Sequence, residues 1–101
     1  MPIQTQAMTV DHQPSPERLE RLGVMSWPIW TKEPSTFAWT YDQSETCYVL
    51  AGEVTVTTSD GQAVSVGAGD LVTFAAGLSC VWHVHAAVRK HYTFHDTPTL
   101  P

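Results

Sequence analysis

Residues 45–52 of this chain are Glu45-Thr46-Cys47-Tyr48-Val49-Leu50-Ala51-Gly52, and residues 69–80 are Gly69-Asp70-Leu71-Val72-Thr73-Phe74-Ala75-Ala76-Gly77-Leu78-Ser79-Cys80. Both segments combine short runs of β-branched and aromatic residues with turn-forming glycines, a combination typical of strands and their turns. Similar runs lie on either side of them. About seven or eight short strands at nearly regular spacing, separated by glycine turns, indicate a β-sandwich or a β-barrel.

A short helix is predicted before most of the strands. Ser15-Pro16-Glu17 has the features of a helix start, because serine can cap, proline suits the first helical position and an early acidic residue complements the helix dipole. Gly23 is a suitable stop. Residues 1–13 are polar and unpatterned, which predicts a flexible N-terminus. Residues 14–98 are then expected to form a single domain.

The composition excludes several classes of function. The 101-residue chain carries a net charge of −5, and its five Lys and Arg residues are scattered, so no basic stripe is available for nucleic acid. No apolar run approaches the roughly 20 residues of a membrane-spanning helix, so no membrane partner is expected. The N-terminus lacks the basic and apolar regions of a secretory signal, which favours a cytoplasmic location. There Cys47 and Cys80 are expected to be reduced thiols.

Alternation along each strand predicts which side chains meet inside the barrel, because residues two apart face the same side of a sheet. The more apolar face of each strand is expected to be the inner one. This rule places an acid, a lysine and two cysteines inside the barrel or at its mouth, among aromatic rings. Provided that no bulge intervenes, the inner sets are Trp39, Tyr41, Glu45, Cys47 and Val49; Cys80, Trp82 and Val84; and Lys90, Tyr92 and Phe94.

Glu45 is the residue whose predicted position demands a partner. A carboxylate that faces an aromatic interior is desolvated, and leaving it charged and unpaired would cost several kcal/mol. Lys90, Tyr41, a metal ion or water could satisfy it. The functional interpretation is a general acid or base, or an anchor for a ligand. The structural interpretation is a polar network that fixes the fold.

Four segments carry a resemblance to a known family: Trp27-Pro28-Ile29-Trp30, residues 45–52, residues 69–74 and Val88-Arg89-Lys90-His91-Tyr92. They resemble the cupin superfamily, and more narrowly the small single-domain cupins grouped with ureidoglycine aminohydrolase, the cupin type 3 family. The resemblance implies an all-β fold, a cupin-type antiparallel β-barrel (jelly roll) with one short N-terminal helix. Because many small members of this family resemble proteins with no assigned reaction, it implies a fold more than an activity.

The resemblance also bears on metal binding. The general cupin pattern places two histidines, a glutamate and a third histidine around one divalent ion, and in this sequence those positions hold Trp39, Tyr41, Glu45 and Cys80. A glutamate and one thiolate supply fewer donors than transition-metal sites generally use. No firm cofactor is therefore predicted. Glu45 and Cys80 are the two candidate ligands of a divalent metal, and the aminohydrolase activity is not carried over.

The predicted site lies in the barrel mouth. Glu45 is its acid/base or anchor, Lys90 is the ionic partner, and Cys80 is the third candidate catalytic residue. A nucleophilic Cys80 would need a nearby histidine or helix end to lower its pKa; otherwise it is a small apolar filler. The candidate substrate-binding residues are inward-facing aromatic and thiol side chains: Trp39, Tyr41, Cys47, Trp82 and Tyr92.

These residues predict a cupin-domain protein that binds or acts on a small nitrogenous or carboxylated metabolite in the barrel mouth. The alternative is a non-catalytic ligand-binding or dimeric assembly module without metal, and the sequence leaves open whether the protein is an enzyme. A homodimer is expected, with Trp27-Pro28-Ile29-Trp30 as a candidate contact. A thiol switch between Cys47 and Cys80 is a third alternative. The histidines on opposite strand faces are expected to point to solvent: His83, His85, His91 and His95.

Overall fold

The computed structural model describes residues 3–4 and 8–95, and in it the chain consists mainly of antiparallel strands. In chain order the elements are β1 (Ile3–Gln4), β2 (Met8–His12), α1 (Pro16–Leu22), a 3₁₀ turn (Val24–Ser26), β3 (Ile29–Lys32), β4 (Ser35–Thr40), β5 (Ser44–Thr58), β6 (Ala63–Gly67), β7 (Asp70–Phe74) and β8 (Ser79–His95). The predicted all-β fold with one short N-terminal helix is confirmed.

Two long antiparallel strands, β5 and β8, run through the whole fold. The first half of β5 pairs with β7 and its second half with β6. In the same way, the start of β8 pairs with β4 and its end with β3. Beyond β7, the strands β2 and β1 extend the sheet. Short strands therefore flank both halves of the long pair, and one antiparallel sheet curls around a common interior.

A bend in the middle of β5 lets one strand serve both halves of the sheet. Its pairing with β8 shifts in register between Val49 and Val54. Gly52 lies in this bend with φ +107°, and a Cβ there would come within 2.5 Å of the Ala87 carbonyl oxygen. Only glycine accepts both constraints without strain. The sequence predicted a turn at Gly52, whereas the structure has one bent strand there.

The helix α1 begins and ends where the sequence predicts. Ser15 Oγ accepts a hydrogen bond from the Arg18 backbone N–H at 3.1 Å, and Gly23 ends the helix in the left-handed conformation with φ +73°. After the helix, Val24–Ser26 forms a 3₁₀ turn, and the next strand begins at Ile29.

The N-terminal region contains a strand that the sequence did not predict. Met8–His12 pairs with β7 along its whole length, and Met8 and Val10 are only 2% and 0% exposed. The prediction of a flexible segment over residues 1–13 is therefore wrong for Met8–His12, because these apolar side chains complete the core. For residues 1–2 and 5–7, and for residues 96–98 at the end of the predicted domain, the predictions lie outside the described residues.

The core lies between the two halves of the curled sheet and is rich in valine. Val10, Val49, Val56, Val72 and Phe74 are almost completely buried, and they come from three different strands. Each fully buried valine or phenylalanine contributes about 1.5–3 kcal/mol by the apolar area that it removes from water. No helix among the described residues has the length and apolar character needed to cross a lipid bilayer.

Candidate functional site

A cavity of about 260 Å³ opens at one end of the barrel interior. Aromatic rings form most of its wall, and one carboxylate and one ammonium group face the same space. Trp39 and Phe94 are about half exposed and mark the rim. The lining residues are Trp30, Phe37, Trp39, Tyr41, Glu45, Trp82, Lys90, Tyr92 and Phe94.

Strand pairing brings the lining residues together. Lys90 of β8 lies directly opposite Trp30 of β3, and on its other side β8 pairs with β5, whose inner face carries Glu45. Phe37 of β4 lies opposite Trp82, nearer the start of β8. Because β8 is shared by three partners, its inward side chains meet residues from all of them.

Glu45 and Lys90 form an ion pair at the base of this cavity. Lys90 Nζ donates to Glu45 Oε2 at 2.6 Å, and the two side chains are only 5–6% exposed. The predicted ionic partner of Glu45 is thus confirmed. In a poorly solvated site each of these charges depends on the other, because removing either one leaves an uncompensated buried charge.

Three aromatic rings surround the Lys90 ammonium. Its Nζ lies 5.0 Å from the ring centroid of Trp30, 4.9 Å from that of Trp82 and 6.0 Å from that of Tyr92. These distances are within the range of cation–π attraction, which strengthens when the cation is desolvated. The three rings and the Glu45 carboxylate together stabilise a positive charge on this nitrogen.

Tyr41 forms a rigid part of the wall. Its ring stacks on Phe74 with centroids 4.6 Å apart, and its hydroxyl oxygen accepts a hydrogen bond from Trp82 Nε1 at 3.2 Å. Burial, and after it the negative charge of Glu45, raises the pKa of Tyr41 far above its usual range. The phenol therefore stays neutral, and it supports the position of Trp82.

The two cysteines lie beside the cavity and not on its wall, as far as the described residues define that wall. Both are buried free thiols. Burial raises the pKa of Cys47 to about 11, with Lys90 opposing and Glu45 adding to the rise, and burial also raises the pKa of Cys80. A protonated thiol is a poor nucleophile. The geometry thus gives no support to Cys80 as a catalytic residue or to Cys47 as a substrate contact.

The donor set around Glu45 does not fit the metal centre that the sequence resemblance implies. The two positions that hold histidines in the general cupin pattern hold the aromatic side chains of Trp39 and Tyr41. In addition, the ammonium of Lys90 already contacts Glu45 Oε2. Within the described residues, no group of three or more His, Cys, Asp and Glu side chains is arranged to hold an ion.

The structure brings six predicted site residues to the cavity and adds three others. The predicted residues are Glu45, Lys90, Trp39, Tyr41, Trp82 and Tyr92, and the added ones are Trp30, Phe37 and Phe94. Neither Trp30 nor Phe37 is among the residues that the sequence predicts for the site. Their role depends on β3 and β4 flanking β8, which no local pattern reveals.

The histidines follow the prediction in part. His83 and His85 are exposed, as alternation predicted. The prediction for His91 is wrong: it is buried, and its Nδ1–H donates to the Trp27 carbonyl oxygen at 2.9 Å. The chain before β3 covers this outer face of β8. The alternation of side chains along β8 does not reveal such coverage by another segment. The side chain of His95 lies outside the described residues.

A known protein family matches most of the chain. Residues 19–92 match the EutQ-like cupin domain. The chain belongs to the EutQ-like cupin family. No curated protein matches it significantly.

Solved structures of other proteins share this cupin architecture. A DUF861 family protein from Thermotoga maritima is 51% identical over 87% of this chain and 99% of its own, with a TM-score of 0.85. The EutQ protein of Clostridium difficile is 19% identical over 95% of this chain and 65% of its own, with a TM-score of 0.63. A putative ethanolamine utilization protein from Salmonella typhimurium is 20% identical over 96% and 68%, with a TM-score of 0.62. At such identities the last two show the fold alone.

The matches confirm the cupin β-barrel and leave the finer predictions open. They bring no substrate and no reaction to this cupin. The narrower grouping with ureidoglycine aminohydrolase is not decided by them, so it stays a prediction.

Proposed function

We propose that this cupin binds a small nitrogenous or carboxylated metabolite in the barrel mouth, with Glu45 and Lys90 as its polar anchors. The observation that carries the proposal is the 2.6 Å ion pair in an aromatic cavity. A buried ion pair adds little stability, because well-packed apolar residues often serve a core equally well or better. Charged groups placed in a cleft are instead a common mark of a functional site.

The size and lining of the cavity support a small ligand. Its 260 Å³ is below the roughly 300–1,000 Å³ of typical ligand pockets. A planar group can stack against Trp39, Tyr92 or Phe94 near the rim. A carboxylate or carbonyl oxygen of the ligand would then accept from the Lys90 ammonium, and an N–H group would donate to Glu45.

Catalysis at this site would use Glu45 as the general acid or base, since its carboxylate faces the cavity and accepts a hydrogen bond from Lys90. The four sequence segments support placing the protein with ureidoglycine aminohydrolase-like cupins. That grouping carries no reaction with it, because the residues around Glu45 differ from the metal-binding pattern. A cytoplasmic location accords with the reduced thiols expected there.

Ligand binding is testable by thermal shift against a panel of small amino acids, amides, ureas and carboxylic acids. A ligand at a hundred times its Kd stabilises the folded protein by about 2.7 kcal/mol. We expect at least one member to raise the Tm of the wild type and to have no effect on a Glu45→Gln/Lys90→Met double variant, which leaves no unpaired charge. Arg89→Met is the matched control, because Arg89 is exposed and adjacent to Lys90 in the chain.

Two results would contradict the proposal: no shift of the wild type with any compound, or an equal shift of the double variant. Elemental analysis of the same preparations tests the metal prediction separately. Stoichiometric metal that is lost in Glu45→Gln and Cys80→Ser variants would identify Glu45 and Cys80 as ligands.

The second candidate function is a homodimeric assembly module without catalysis. Exposed apolar side chains favour it, because Leu22, Met25 and Ile29 lie close together in the chain and do not pack into the core. This function and ligand binding do not exclude each other.

A further inference from the structure

Lys90 is a primary amine held at the wall of a small cavity. Its Nζ is fixed by the 2.6 Å hydrogen bond to Glu45 Oε2 and by the rings of Trp30, Trp82 and Tyr92. The sequence contains two lysines, Lys32 and Lys90. A positioned lysine amine and an adjacent carboxylate that can take its proton are the two groups that imine formation with a carbonyl compound requires.

We propose that Lys90 captures a small aldehyde or ketone as a covalent imine, with Glu45 as the group that moves the proton. The inference rests on the proposed function in one respect, that a small molecule enters this cavity. It goes further by assigning a covalent reaction and a carbonyl class of ligand.

The step balances with the groups in the cavity. Glu45 accepts one proton from the Lys90 ammonium, and the free amine nitrogen adds to the carbonyl carbon. The carbinolamine oxygen takes up the amine proton that the new C–N bond releases and then receives the second proton from Glu45. Water leaves as the C=N bond forms. The nitrogen keeps the last of its three protons, so loss of water gives the iminium directly, and the sum is ammonium plus carbonyl giving iminium and water.

The surroundings of Lys90 suit both ends of this reaction. The ammonium and the protonated imine each carry one positive charge on the same nitrogen. The Glu45 carboxylate and the three rings that stabilise the first therefore stabilise the second as well. No new buried charge is created, so the product avoids the desolvation cost of an uncompensated charge. The confined volume of 260 Å³ favours a carbonyl compound of few carbon atoms.

Reductive trapping tests the proposal on the intact protein. The probes are acetaldehyde and pyruvate, each with cyanoborohydride, and peptide mass spectrometry locates the alkylated lysine. Lys32 is the internal reference, since its side chain is more accessible than the nearly buried Lys90. We expect the initial rate of labelling at Lys90 to exceed that at Lys32 at least tenfold with one of the probes. If the labelling rates follow solvent accessibility, so that Lys32 is modified before Lys90, the proposal is overturned.

Variants separate the proton transfer from simple reactivity. Glu45→Gln should slow labelling of Lys90 at least tenfold and leave Lys32 unchanged, whereas Arg89→Met should alter neither. An unchanged rate at Lys90 in a folded Glu45→Gln protein overturns the role of Glu45. If that variant fails to fold, the Lys90-to-Lys32 ratio of the wild type decides alone.

A failure of imine formation can be distinguished from a failure of ligand binding in the cavity. A metabolite that raises the Tm of the wild type but not of the double variant, with no preferred adduct on Lys90, rejects the imine and retains the binding site. A preferred Lys90 adduct in the absence of any thermal shift supports the imine and rejects the non-covalent ligand class.

Discussion

At the scale of the residue, Glu45 and Lys90 are the two charged side chains that line the cavity of this cupin. The carboxylate and the ammonium are buried together at 2.6 Å. Desolvation makes each of them costly on its own, and mutual attraction offsets that cost only while both are present. The pair therefore behaves as one unit, and its two residues should respond to substitution non-additively.

Replacing Lys90 by methionine is expected to destabilise the protein by about 3–5 kcal/mol, because Glu45 would stay buried without its cation. The Glu45→Gln/Lys90→Met double variant should lose less than Lys90→Met alone, since no charge remains. Urea denaturation of the two single variants and the double variant measures this coupling. Arg89→Met serves as control and should change stability by no more than about 0.5 kcal/mol. Additive losses would show that the pair contributes no coupling energy.

Burial of Cys47 predicts a stability change at alkaline pH. Its pKa is raised from 9.0 to about 11, so between these values the folded state holds a proton that the unfolded chain has lost. The unfolded state then binds fewer protons, and the free energy of unfolding must fall as pH rises from about 9 to about 11. Urea denaturation across this interval should give a shallower fall for Cys47→Ala than for the wild type. Parallel curves would contradict a buried, protonated Cys47 thiol.

At the scale of the element, the sequence predicts strands well and their continuity poorly. Alternation identified the inner faces of β5 and β8, which is why Glu45, Trp82 and Lys90 were expected at one site. The bend at Gly52 was instead interpreted as the end of a strand, because a glycine in a strand and a glycine in a turn leave the same local pattern. The difference appears only when Ala87 approaches the Gly52 backbone from the neighbouring strand.

The residues that the sequence missed depend on which strands are neighbours. Trp30 reaches the cavity because β3 flanks the end of β8, and Phe37 because β4 flanks its start. His91 is buried for a related reason, since the chain preceding β3 supplies its carbonyl partner. Each of these contacts joins segments more than 40 residues apart, so the periodicity of one segment carries no trace of them.

The strand β2 should be a stable part of the barrel. Val10 is completely buried and lies opposite Val72 of β7. Val10→Ala is expected to destabilise the protein by about 1–3 kcal/mol through lost burial and the cavity left behind. Thr9→Ala is the matched control, because Thr9 lies on the other face of the same strand and is only partly buried. Equal, negligible effects of both substitutions in urea denaturation would restore the prediction of a flexible N-terminus.

At the scale of the whole molecule, apolar surface remains outside the barrel after the core and the cavity have been filled. Met25 is 67% exposed, and Leu22 and Ile29 are exposed as well. Ile29 belongs to β3, which stands at the end of the main path of paired strands. An edge strand with an apolar side chain is a common site for association with another chain. The location of these exposed apolar side chains near β3 accords with a homodimer whose contact is formed by the segment around β3.

The homodimer is testable with two substitutions on equally exposed residues. Ile29 and Val81 are both 41% exposed, but Ile29 lies on the edge strand β3, whereas Val81 lies on β8 between β4 and β5. We expect the wild type and Val81→Lys to sediment at twice the 11.1 kDa chain mass. Ile29→Lys should sediment as a monomer with an unchanged circular dichroism spectrum, because a desolvated lysine in a dimer contact is unfavourable while an exposed one on a monomer is not. A monomeric wild type at tens of micromolar, or an Ile29→Lys variant that stays dimeric, would remove β3 from consideration as the contact.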